Sequence, residues 1–121
     1  MNTERFAPYV YPVFRFVFGL LYMFHGLQKF GLVGGHMVPM ISRLGAAAII
    51  ELVCGVLIAA GAFTRIAAFI ACGEMAVAYL LQHYPRGFVP IQNQGELAVL
   101  YCFAFLYIAT RGVGRLGFDK R

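Results

Sequence analysis

The sequence predicts an all-α integral membrane protein: a four-transmembrane-helix up-down-up-down bundle with both termini cytoplasmic. Three observations carry that expectation. Hydrophobic residues fill 61% of the 121 positions and charged residues only 12%. A soluble domain carries about 25% charged residues, so this chain cannot coat a water-facing surface, and its mean hydropathy of +0.76 agrees. Four stretches are long and apolar enough to cross a bilayer, which takes roughly 17–25 helical residues each. The basic residues are also divided unevenly between the two ends of such a bundle.

The first span covers residues 12–30. It does not read as a signal peptide, because a strongly basic n-region and a small-residue cleavage site are both missing. Within it Arg15, Gly19, Tyr22, Gly26 and Lys29 recur at spacings of 4, 3, 4 and 3, which is one helical face. His25 lies on its edge. Small residues let helix backbones approach, so the polar groups share the packing face and turn away from lipid. Lys29 has a second option, snorkelling to the outer interface. The connection "GLVGGHMVPMISRL" (31–44) holds three glycines and Pro39.

The second span covers 45–62, with Gly55 and Ala59 beneath Glu51 on one face. Glu51 is expected ~9 Å below the outer surface and His25 at ~8 Å. This level imidazole–carboxylate pair reads either as a structural hydrogen bond between helices or as part of a site, since ionisable groups in a membrane are costly and pair with one another. "GAFTR" (61–65) is short enough to make spans two and three a tight antiparallel hairpin.

The third span covers 66–84. Glu74 lies near its middle, with Ala71 and Ala78 on its face. Arg15 is its expected partner in a structural bridge; the alternative is a proton-bearing carboxyl on a relay. His83, nine residues on, points about 180° from Glu74, at headgroup level. "HYPRGFVPIQNQG" (83–95) has two prolines and two glycines, which break helix. Both long connections lie outside, where they form a cap over the bundle or simply connect. The fourth span covers 95–110. "NQGE" (93–96) has capping-box spacing, with Asn93 accepting from the N3 amide and Glu96 reaching back; a place for Glu96 at the mouth of the bundle is the other reading.

Arg5, Arg15, Arg65, Arg111, Arg115, Lys120 and Arg121 fall on one side of this arrangement and Lys29, Arg43 and Arg86 on the other. Seven against three places both termini in the cytoplasm. The net charge of +5 is then an orientation signal beside anionic lipid and not the footprint of a nucleic-acid-binding surface. Cys54, Cys72 and Cys102 fall mid-span with no C-x-x-C pair, so there is no dithiol motif, and they read as small packing residues. No Glu-x-x-His or His-x-x-x-His spacing occurs, and His25 and His83 are not level, which argues against haem or metal. A quinone fits better: His25, Tyr22, Glu51 and Glu96 supply hydrogen-bond donors and proton-accepting carboxyls near one membrane surface. Arg15, Gln28, Lys29, Glu74 and Asn93 form the accompanying intramembrane polar network.

Three segments resemble the DoxX family. "RFVFGLLYMFHGLQKF" (15–30) is similar to its first helix, "ELVCGVLIAAGAFTRIAA" (51–68) to its second helix and tight turn, and "PRGFVPIQNQGELAVLYCFAFLYIATRGVGRLGFD" (85–119) to its loop, fourth helix and tail. Gln94 stands where a glycine is usual, and "LGFD" replaces a Ser-Leu-Asp-like ending. The resemblance implies a single four-helix domain in a bacterial-type inner (plasma) membrane. It highlights Arg15, His25, Gln28, Lys29, Glu51, Arg65, Asn93 and Glu96. Some relatives are subunits of a membrane thiosulfate:quinone oxidoreductase and others belong to redox and sulfur stress complexes. The expected role is a quinone-interacting accessory subunit of such a complex, working with other membrane or peripheral subunits or as a homo-oligomer. A structural or assembly subunit and a small-solute or proton-coupled carrier using Glu74 and Glu51 remain the alternatives.

Overall fold

The computed structural model describes residues 2–120; Arg121, counted above among the basic residues, lies outside the described residues. The elements are helical. A short 3-10 turn, Glu4–Phe6, leads into α1, Ala7–Lys29. The remaining helices are α2 (Arg43–Ala60), α3 (Thr64–Ala78), the single-turn α4 (Pro90–Asn93) and α5 (Glu96–Arg111). α3 runs on without a break through a π-turn, Tyr79–His83, and a 3-10 turn, Tyr84–Arg86.

Three of these helical runs are long and apolar enough to cross a membrane: Glu4–Lys29, Arg43–Ala60 and Thr64–Arg86. α5, at 16 residues, is ~24 Å long and falls short of the usual span length. α1 begins five residues before the expected boundary because Pro8 sits in its first turn, where a missing N–H costs nothing. α2 begins at a Ser42 cap, whose hydroxyl accepts from the Gly45 amide, and ends at Gly61 in the left-handed region, φ 77°, the standard glycine stop.

α1 and α2 pack antiparallel with their backbones in contact. A Cβ on Gly19 would lie 2.5 Å from the Ala59 amide nitrogen, and one on Gly26 would lie 2.6 Å from that of Leu52. Of the face the spacing predicts, Arg15, Gly19, Tyr22 and Gly26 are buried and Lys29 is half-buried. α3 and α5 form the second antiparallel pair. Here Cys72 and Cys102, read as separate packing residues, face one another with sulfurs 3.7 Å apart. The two pairs are joined by the turn after α2 and by aromatic rings. Tyr22 of α1 packs against Tyr101 and Phe105 of α5, at 5.8 Å and 4.7 Å between centroids.

The outside of the bundle is apolar. Val13, Phe16, Val17, Leu21, Val53, Phe69, Val77 and Phe103 are exposed. Water-soluble monomers rarely present contiguous apolar patches beyond a few hundred Å², whereas lipid accepts such a surface. The chain is a multi-pass membrane protein whose exterior faces the bilayer.

Candidate functional site

The polar side chains gather at two ends of the bundle. At the end formed by the last turns of α1, the first turns of α2, the end of α3 and the start of α5, they surround a cavity of about 190 Å³. Tyr22, His25 and Lys29 reach it from α1, Glu51 from α2, Glu74 and His83 from the α3 run, and Tyr101 from α5. α1 delivers its three because residues three and four apart share a helix face.

Two contacts organise the cavity. Lys29 Nζ donates to Glu51 Oε1 at 2.7 Å, and the Tyr22 hydroxyl donates to Glu74 Oε1 at 2.7 Å. Glu51 is 2% exposed and Lys29 23%, so the ion pair is shielded on its acidic side and open toward the cavity mouth. Both expected pairings are therefore corrected. Glu51 takes Lys29 as partner, not His25. His25 is at the right height, since the neighbouring Gly26 touches the Glu51–Leu52 backbone. Its ring, however, is turned toward α5, edge-on to Tyr101 at 5.6 Å. Lys29, one turn further on, reaches Glu51 with its long stem and does not simply snorkel. Glu74 takes Tyr22, not Arg15. Arg15 lies seven residues below Tyr22, ~10 Å along the axis, and binds at the opposite end.

Two expected site residues stay outside. Glu96 is exposed, because it opens α5 and the following Leu97 and Ala98 are the ones that turn to the cavity. Gln28 is exposed too, rotated about 100° from Lys29. Asn93 is fully buried but builds the loop. Its amide donates to the Tyr79 hydroxyl at 3.1 Å and the Gly87 carbonyl at 2.8 Å, and its oxygen accepts from the Gly95 amide at 2.8 Å. The expected capping box is absent, for α5 is capped by Gly95 without a side-chain bond.

Conversely, His83, read as pointing about 180° from Glu74 but able to reach the mouth of the bundle, lines the cavity. The π-turn at Tyr79–His83 widens the helix, so His83 lags behind the 180° rotation of a regular α-helix and faces the cavity. Its Nδ1 lies 3.2 Å from the Asn93 carbonyl oxygen. Gln82 and Gln94 were missed as lining residues, and so was Tyr101, although it sits on the buried stripe Ala98, Tyr101, Phe105 and Ile108 of α5. Its 3, 4, 3 spacing in the sequence is the signal that would have found it. The connection after α1 folds back on its own helix, with Val38 bonded to the Lys29 carbonyl, and adds no side chain to the cavity. The second connection lines it, through His83 and Gln94.

At the other end the polar groups bind backbone. Arg15, 2% exposed, donates to the Val113 carbonyl and, at 2.6 Å, to that of Leu116. Tyr11 donates to the Gly112 carbonyl at 2.6 Å. Arg65 donates to the Ala109 and Thr110 carbonyls that end α5. Asp119, in the "LGFD" ending, accepts from the Phe63 and Thr64 amides at 2.8 Å each and so caps α3 from 55 residues away. Hydrogen bonding from Thr64, with Phe63 adding to it, holds the Asp119 carboxyl below the usual carboxylate range. The tail is thereby strapped across the α2–α3 turn.

The cavity can hold a small polar headgroup between carboxyl acceptors and tyrosine, lysine and histidine donors. Among the described residues, no three His, Cys, Asp or Glu side chains converge as metal ligands. Fold and site together define a small multi-pass helical membrane protein with a polar cavity at one end of the bundle. The chain belongs to the DoxX family, whose sequence pattern matches residues 11–84. That match ends before α4 and α5, so the likeness read over 85–119 lies beyond it. The chain is also 38% identical to an uncharacterized protein of Haemophilus influenzae, over 99% of this chain and 96% of that one. No solved structure matches.

Proposed function

We propose that the protein is a quinone-interacting accessory subunit of an inner-membrane oxidoreductase or redox-stress complex, acting with partner subunits that supply the electron donor. The observation that carries this is the cavity itself. It brings His25, Tyr22 and Tyr101 as headgroup donors within one volume with the Glu51 and Glu74 carboxyls, which can accept or release the protons of quinone reduction. Ionisable groups inside a membrane bundle mark ligand or proton pathways by default.

In this reading α5 is the fourth span and both termini are cytoplasmic. Support comes from its antiparallel packing on α3 and its outward Leu100, Phe103 and Leu106; local thinning of the bilayer accommodates a short helix. The basic residues at the Arg15 end support the orientation.

The test is photolabelling of the full-length protein in lipid nanodiscs with an azidoquinone. Leaving a buried polar partner unsatisfied costs about 1–3 kcal/mol, so Glu51→Gln and His25→Ala are each expected to lower labelling about tenfold. Labelling that ignores both substitutions contradicts the proposal. A second reading, a purely structural subunit, is favoured by Lys29–Glu51 tying α1 to α2 and Tyr22–Glu74 tying α1 to α3. It predicts a lower melting temperature for Glu51→Gln with no specific labelling of the wild type.

A further inference from the structure

The cavity has a neighbour. On the outer face of the seam between α2 and α3 lies a largely apolar groove of about 300 Å³, lined by Ala46, Ile50, Ile70, Gly73, Val77 and Leu81, with Arg43 at the start of α2 also on its rim. Ala47, Glu74, Ala78 and Gln82 line both spaces. These four residues are the boundary the two spaces share. We propose that this groove is a binding site for the hydrocarbon tail of the lipid-soluble ligand whose headgroup occupies the cavity, the two joined across that boundary at Glu74 and Gln82.

This rests on the quinone reading above and extends it to the ligand's tail. The polarity of the two spaces argues for one amphiphile across both. The inner space carries Lys29, Glu51 and Tyr22, and the outer one is bounded chiefly by aliphatic side chains. From Ile70 to Gln82 the groove follows α3 for ~18 Å, long enough for an extended chain. Its floor is kept open at Gly73, where an added Cβ would meet nothing within 4 Å. A glycine there lowers helix propensity with no close backbone neighbour to require it, which fits a surface kept clear for a ligand. The π-turn begins directly after Ala78 and brings Gln82 to the rim. Such turns occur frequently at functional sites.

The experiment is equilibrium competition against azidoquinone labelling in nanodiscs, using a tailless benzoquinone and its decyl-chain derivative. Two variants fill the groove from positions that do not themselves line the cavity: Gly73→Phe, and Val77→Trp at a position 53% exposed. Both are expected to weaken competition by the decyl compound about tenfold and to leave the tailless compound within about twofold. If both compounds compete as in wild type, the groove holds only bulk lipid and the inference is overturned while the quinone reading stands. Equal loss of both also overturns it, since a tailless head needs no groove. If neither compound competes in wild type, the quinone reading fails and this inference falls with it.

Discussion

The two ends of the bundle use their polar residues differently. At the Arg15 end, side chains bind backbone: Arg15 and Tyr11 hold the carbonyls of the tail, and Asp119 holds the amides that open α3. At the cavity end, side chains bind each other, Lys29 with Glu51 and Tyr22 with Glu74, along the cavity lining. Backbone groups must be satisfied inside a membrane protein, so the first arrangement is architecture. A side chain paired with a side chain beside a cavity can exchange its partner for a ligand. Both ends carry ionisable residues on one face of α1, and the proposed function assigns ligand binding to the cavity end.

The largest effect expected is at the architectural end. Arg15→Leu loses two charge-assisted bonds, one to the buried Val113 carbonyl and one to the part-buried carbonyl of Leu116, costing about 3 kcal/mol. Thermal melting in nanodiscs reads this as a large drop, with azidoquinone labelling of the folded protein unchanged. A loss of labelling without loss of stability would erase the distinction between the ends. Next, Lys29→Met leaves the Glu51 charge without its partner. We expect about 2 kcal/mol, below the cost for a fully buried pair because Lys29 is 23% exposed. Adding Glu51→Gln should restore much of the melting temperature but not the labelling. Tyr22→Phe removes one bond to Glu74 and should cost about 1 kcal/mol.

Smallest is Asp119→Asn, at about 0.5 kcal/mol, since one amide bond survives. Its pH signature is specific. Because the native carboxyl is held low, its contribution is complete above the unfolded pKa of about 3.9 and is lost as pH falls through the native value. Melting temperatures of wild type and Asp119→Asn should therefore converge in acid and separate above about pH 4. A constant gap across that range would show that the carboxylate does not cap α3.

Much of this fold is readable from spacing. Gly19 and Gly26 on the face of Arg15 and Tyr22 announce the close α1–α2 contact, and the apolar runs locate the long helices to within a few residues. What spacing cannot convey is direction around a helix once regular geometry fails, or partners brought together from afar. The π-turn redirects His83, and nothing in "YLLQH" marks the change of pitch. Asp119 and Thr64 meet only because the tail doubles back, and Arg15 finds the tail's carbonyls for the same reason. The Glu51–His25 expectation used depth correctly but not azimuth. At one level of the bundle, a residue one position along faces a different helix.

The most direct measurement is a peptide map of azidoquinone crosslinks on wild-type protein. The account predicts crosslinks confined to the cavity-lining parts of the chain, residues 22–29, 47–51, 74–83 and 94–101, and lost when unlabelled quinone competes. Crosslinks concentrated on residues 9–15 or 111–120, or spread evenly over the lipid-facing surface, would contradict it.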